Sequence, residues 1–143
     1  DPFATFKFHV EIDGIKEAGF SDCSGMEMTT DVFEYQEGGL NEYTHKLPGR
    51  MKVSNVTLKR GFATSNELFK WFTTVQEDLL KGKAITRKKV TITLYSSANP
   101  DESMNWTLQD AFPVKWAGPA FRTDEAALAV ESLEFAHNGI TLG

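Results

Sequence analysis

The sequence predicts a mainly β fold: a two-sheet barrel or sandwich closed by one α-helix. Two patterns carry that expectation. Short runs alternate apolar and polar residues between turn signals, the period-2 signature of half-buried strands, and one segment, beginning at Thr64, has strong helical periodicity. A third observation bounds the size. The 143 residues hold no internal repeat, low-complexity tract or linker, so 1–143 reads as a single domain, long enough to bury about 70% of the surface its unfolded chain exposes.

The first strand places Phe6, Phe8, Val10 and Ile12 on one face and Lys7, His9, Glu11 and Asp13 on the other. Asp13-Gly14 is a favoured two-residue hairpin turn, because both central positions take positive φ. Ile15 to Phe20 is therefore expected as the returning strand, followed by a small polar corner from Ser21 to Gly25 and a second extended run from Met26 to Tyr35. Gln36 to Arg50 holds three glycines and Pro48 and reads as a long loop. Structureless loops of that length are usually functional or interaction elements. Met51 to Lys59 resumes extended structure, and Arg60-Gly61 breaks it.

Thr64 and Glu67 have capping-box spacing, the hydroxyl accepting one orphan amide and the carboxylate reaching back to another. Leu68, Phe72, Val75 and Leu79 then recur at helical spacing, with Trp71 and Leu80 widening the stripe. An apolar face that wide must be buried, most simply over the mouth of a barrel or the edge of two sheets. Gly82 is placed to end the helix. A basic stretch follows from Lys81 to Lys89, then a strand through Val90, Ile92 and Leu94 and a turn at Asn99-Pro100-Asp101. Met104, Trp106 and Leu108 alternate in the next strand. Phe112 to Trp116 is extended with Pro113 inside it, which suits an edge or a bend. Ala127 to His137 ends the pattern as a strand whose apolar side switches between Val130 and Leu133, as a bulge would cause.

Little in the chain points to catalysis. His9, His45 and His137 have no metal-ligand spacing to one another, and read as surface or interface histidines. The single cysteine, Cys23, excludes an intramolecular disulfide and reads as a small buried or corner residue. No nucleophile elbow is present, and Gly38-Gly39 and Gly61 lead into no Gly-Lys-Ser/Thr phosphate loop. Carboxylate pairs such as Glu11/Asp13 and Asp101/Glu102 lie on strands or turns. The net charge of −5 argues against general nucleic-acid affinity, which calls for a basic excess. Lys81, Lys83, Arg87, Lys88 and Lys89 read either as a solvated face or as a complement to the acidic Glu34, Glu37 and Glu42 region of a neighbouring copy. The chain has no apolar run long enough to span a membrane. Its start, DPFATFKF, lacks a signal pattern, so synthesis in the cytoplasm without Sec-type export is expected.

Read in order, FKFHVEIDG, GFSDCSGM, YQEGG, KLPG, VTLKRG, LFKWF, AFPVKWAGPAF and ESLEFAHNGITL resemble the inner tail-tube proteins of contractile phage tails. The likeness is greatest to the branch in phage-tail-like extracellular contractile injection systems, and it covers essentially the whole chain. The resemblance implies a non-enzymatic structural subunit without cofactors, forming hexameric rings that stack into a hollow tube, with the fold also used by the type VI secretion tube. The implied partners are the sheath, the baseplate and spike, a tube terminator and a cargo in the lumen.

The resemblance also assigns regions. Gln36, Glu37, Gly38, Gly39, Leu40, Asn41, Glu42, Tyr43, Thr44, His45, Lys46, Leu47 and Pro48 match the loop that meets the neighbouring ring. The helix with Leu68, Trp71, Phe72, Val75 and Leu79 matches the one that closes the subunit's barrel. Asp1 to Phe3 and Ile140 to Gly143 match termini near ring interfaces, and Lys7, His9, Glu11, Thr91 and Thr93 are lumen candidates. The family often has arginine where this chain has Gln36, so the resemblance implies no specific salt bridge at that point. Phage tail and injection system both remain open, as do a baseplate-proximal initiator or adaptor, a small ligand-binding barrel and, more remotely, a hydrolase.

Overall fold

The computed structural model describes residues 6–15, 19–36, 44–61, 66–99, 101–119 and 130–143. Nine strands and one helix appear among them: β1 (Phe6–Ile12), β2 (Phe20–Ser24), β3 (Met28–Gln36), β4 (Thr44–Val53), β5 (Val56–Gly61), α1 (Glu67–Leu80), β6 (Lys88–Ser96), β7 (Ser103–Ala117), β8 (Val130–Ala136) and β9 (Gly139–Leu142). The main sheet runs β1-β6-β7-β8-β5-β2, with β9 added alongside β7, while β3 and β4 form a separate two-stranded sheet. Strands β1 and β2 end the path without pairing to each other. The described sheet is therefore open, a folded-over sandwich in place of a closed barrel.

The fold-over happens within β7, which the sequence pattern divided into two strands. Its first part pairs with β6 and β9, and its second part, from Phe112, pairs with β8. The bend falls at Asp110, the one described non-glycine residue with positive φ, at 52°. Asp tolerates that left-handed region better than most residues. The Arg87 guanidinium donates to the Asp110 carbonyl at 3.3 Å, and the Asn138 side-chain amide donates to its carboxylate at 3.3 Å. Pro113 lies beyond the bend, opposite Phe135 and beside a register shift, where β7 pairs on one side only, a setting in which proline is tolerated.

Alternation puts Val10, Ile12, Val90, Ile92 and Leu108 from one part of the sheet, and Val56, Leu58, Leu133 and Phe135 from the other, into one core. Helix α1 contributes Leu68, Trp71 and Val75 to it. Phe72 is half-buried, and Phe69 meets Trp116 of β7 edge-on with ring centroids 4.9 Å apart. The stripe does not continue to Leu79, which is exposed, because the last turn runs past the sheet. A Schellman motif closes the helix: Gly82, at φ +68°, donates to the Leu79 carbonyl at 3.2 Å and Lys83 donates to Asp78 at 2.8 Å. The helix begins at Glu67 with Asn66 in the cap position and no side-chain cap bond. Glu67 is thus a first-turn residue and not the third position of a capping box, and Thr64 lies outside the described residues.

Other expectations are corrected. Asp13-Gly14 does turn the chain, with Gly14 at φ +76° and the Ile15 amide donating to Ile12 at 2.9 Å. Among the described residues the hairpin shows only the Ile12–Ile15 bridge, β1 takes β6 as partner, and the expected corner at 21–24 is strand β2, paired with β5. Gln36 to Arg50 is not one long loop, since β4 begins at Thr44. The final strand has no bulge against β5. Its apolar side seemed to switch because an inward position holds a charge: Glu131 is 2% exposed, whereas Val130 faces out.

That buried charge is paired. The Arg60 Nε donates to Glu131 Oε1 at 2.8 Å, Arg60 Nη2 lies 2.7 Å from the same oxygen, and the Trp116 indole N–H donates to Oε2 at 2.8 Å. Phe20 lies beside the guanidinium, 5.6 Å from ring centroid to Cζ.

Candidate assembly interface

The β3–β4 hairpin is the feature of this fold with no internal explanation. Strands of nine and ten residues make an arm about 30 Å long at the usual rise per residue. A lone two-stranded sheet is marginal in water, and this one carries large apolar side chains on both faces. The register pairs Phe33 with Leu47 and Tyr35 with His45, so these four share one face. Val32 opposite Pro48, Thr30 opposite Met51, and Met28 opposite Val53 share the other. Phe33 is 61% exposed and Val32 57%, with Met28, Tyr35, Leu47 and Met51 all exposed as well.

A bulge at Asp31 lets the arm carry both patches. Between the Thr30–Met51 and Val32–Pro48 pairs, β4 has two residues, Gly49 and Arg50, where β3 has one. The Thr30 hydroxyl donates to the Gly49 carbonyl at 3.1 Å, and Lys52 pairs with Asp31 at 3.4 Å. Gly49 is closely approached: a Cβ there would sit 2.6 Å from the Phe33 ring and 3.0 Å from the Asp31 carbonyl, so a side chain would require the ring to move. The root is fixed to the body. The Gly25 backbone, at φ +96°, lies against the Asn55 carbonyl, and the Asn55 side-chain amide donates to Glu134 at 3.0 Å. The His137 ring bridges the Ser54 carbonyl at 3.0 Å from Nε2 and the Gly139 amide, which donates to Nδ1 at 3.2 Å. His137 is buried within the subunit, a correction to its reading as a surface or interface histidine.

Of the expected ring-stacking residues, Gln36 and Thr44 to Pro48 are thus strand residues of this arm, and Glu37 to Tyr43 lie outside the described residues. The basic stretch is divided. Arg87 packs over Phe112, 4.8 Å from the ring centroid, while Lys81 and Lys83 are exposed beyond the helix. His9 and Glu11 contact at 3.4 Å on an outward face whose register adds Thr91 and Thr93. Burial pushes the Cys23 thiol up to about 11. Among the described residues no three His, Cys, Asp or Glu side chains are grouped to hold a metal ion. No described helix is long and apolar enough to cross a membrane.

The sequence pattern of the T4-like virus tail tube protein gp19 family matches residues 4–141. The chain belongs to that tail-tube family. It is a structural protein of the inner tube. A solved chain from an extracellular contractile injection system, the PVC sheath–tube complex in its extended state, is 28% identical with a TM-score of 0.78, covering 96% of this chain and 88% of that one. A chain from the tube-terminating cap of the anti-feeding prophage is 26% identical with a TM-score of 0.77, covering 95% and 87%. Hcp1 from Flavobacterium johnsoniae, at 13% identity and a TM-score of 0.57 over 95% and 94%, shares the fold alone. No curated protein matches the chain.

The arm's second strand escaped the sequence reading because glycines and Pro48 mimic a loop, although Val32 to Tyr35 and Leu47 were visible as apolar residues. Arg60 and Glu131 were also missed. Their signal was positional: each occupies an inward slot in the alternations Val56-Leu58-Arg60 and Glu131-Leu133-Phe135.

Proposed function

We propose that this tail-tube subunit is the repeating, non-enzymatic building block of a contractile tail or injection-system tube. It closes laterally into hexameric rings and stacks axially through the segment 36–48. Sheath, baseplate and spike, and terminator are its partners, and cargo passes through the lumen. The observation that carries this reading is the arm: two strands with apolar residues on both faces need covering, and a second copy of the same chain supplies surface at every repeat. Two different patches meeting head-to-tail close a ring in one direction and leave an open stack in the other.

An end subunit of the same machine, initiator or terminator, is the second reading, favoured by the 26% identity to a chain of the tube-terminating cap. Particle stoichiometry separates the two. A ligand carrier is disfavoured by the core, where Val10, Ile92, Leu108, Leu133 and Phe135 are buried together in one cluster.

Purified protein is expected to form rings or stacked tubes by negative-stain microscopy. A species that stays monomeric at high concentration and holds an apolar ligand overturns the proposal. Deleting Leu40 to His45 is expected to leave the circular-dichroism spectrum native and to abolish stacking; tubes of unchanged length would refute the role given to the arm.

A further inference from the structure

The core face of β1, β6, β7 and β9 runs out into solvent at one end. Phe6, Phe8, Val10 and Ile12 lie on the same side of β1, yet Val10 and Ile12 are buried and Phe6 is 59% exposed. On β7 the same face carries buried Leu108, half-buried Trp106 and exposed Met104; on β9 it carries exposed Leu142 opposite Trp106. Phe6, Leu94 and Met104 line a cleft of about 300 Å³ with Glu102 and Ser103 at its margin. The core stripe therefore continues as an uncovered apolar shelf.

Resting on the inner-tube reading, we infer that this shelf is the receptor for the arm of a second copy, taking the face with Phe33, Tyr35 and Leu47. Two exposed apolar surfaces could compete for that face: the shelf, and the end of α1 at Leu79 and Leu80. Charge sorts them. Next to the aromatic face the arm carries Arg50, which has no acidic partner among the described residues, whereas Lys52 is engaged by Asp31. The shelf is bordered by Asp101 and Glu102, both exposed and without a cationic partner among the described residues. The helix end is bordered by Lys81 and Lys83, of the same sign as Arg50, as well as by Glu77 and Asp78, a mixed set where the shelf's border is acidic. Like charges facing each other disfavour a contact and opposite charges fix its register. Arm and shelf are different patches of one chain, so their union is head-to-tail and repeats from copy to copy.

Cross-linking between single-cysteine proteins tests this in the full chain. In a Cys23→Ser background, Leu47→Cys protein is mixed with Met104→Cys protein and, separately, with Leu80→Cys protein, then assembled and oxidised. A disulfide-linked dimer is expected from the first mixture and not from the second. Linkage to position 80 overturns the assignment and favours the rival in which an acidic stretch of the chain meets the helix-end lysines. In parallel, Arg50→Glu and Glu102→Arg, both at exposed positions, are each expected to raise the concentration needed for tube formation about tenfold, an effect of about 1.4 kcal/mol. Combining them is expected to restore it to within about threefold; no recovery overturns the direct contact. Wild-type tubes that form normally while position 104 never cross-links sink this inference alone. Wild-type protein that forms no rings sinks the inner-tube reading with it.

Discussion

Removing one half of the buried Arg60–Glu131 pair is the most discriminating perturbation of the subunit. Arg60→Met keeps the length of the side chain and deletes the guanidinium that reaches Glu131 Oε1 at 2.8 and 2.7 Å. Glu131, 2% exposed, then keeps the hydrogen bond from the Trp116 indole N–H but loses its counter-charge. A buried charge deprived of its partner costs about 3–5 kcal/mol, which for a chain of this size is a fall in Tm of roughly 10 °C or more. The companion Arg60→Met/Glu131→Leu removes both charges. Replacing a buried pair by apolar residues is often neutral or favourable by about 1–4 kcal/mol, offset here by about 1–3 kcal/mol for the orphaned Trp116 donor. The double variant is therefore expected to recover most of the loss and to lie within about 2 kcal/mol of wild type. Urea unfolding, followed by tryptophan fluorescence at concentrations where light scattering shows monomer, measures all of these in one series. A single-variant loss below about 1 kcal/mol, or a double variant worse than Arg60→Met, would refute the reasoning that each charge depends on the other for its burial.

Three further outcomes follow from particular positions. Leu68→Ala is expected to cost about 2–5 kcal/mol and Leu79→Ala less than about 0.5 kcal/mol, because Leu68 is 1% exposed and Leu79 57%; equal shifts in urea midpoint would mean that the helix is packed along its whole length. Gly25→Ala forces a side chain onto a φ of +96° and against the Asn55 carbonyl, so the arm root should be displaced. Hydrogen exchange at Ser54 and Asn55 reads this, and an unchanged pattern contradicts it. Cys23, raised from 9.0 to about 11, should react with a thiol reagent at pH 8 about a hundredfold more slowly than the urea-unfolded chain, since only the thiolate attacks. The sign for stability follows: the fold favours the protonated thiol, so this contribution is complete below pH 9 and is lost as pH rises through about 11. Native and unfolded rates that coincide would count against a desolvated thiol.

The strands of the core were legible wherever one face is buried. Phe8, Val10 and Ile12, or Val90 and Ile92, alternate with polar partners because the pleat sends successive side chains to opposite sides. The helix was legible in the same way at Leu68, Trp71 and Val75. Its end was not, because periodicity does not report where the neighbouring sheet stops, so Leu79 fits the stripe and still meets solvent. Strand β8 failed for a related reason. Glu131 breaks an apolar run, and only the three-dimensional placement of Arg60 and Trp116 makes an inward carboxylate acceptable.

What the sequence determined by itself was composition-level and local: a mainly β chain, one helix, turns at Gly14 and Gly82, and a set of motifs specific enough to indicate the tail-tube family. Pairing was beyond it. That β1 meets β6, that β2 crosses to β5, and that β7 bends at Asp110 to serve both parts of the sheet are decided between residues far apart in the chain, where hydrogen-bond partners compete on nearly equal local terms. The arm shows the division most clearly. Its residues could be read as a loop or a strand from pattern alone. Only the tertiary structure decides that they pair with each other, leave the body, and carry apolar side chains on both faces, so that the partner needed to cover them must come from outside the subunit.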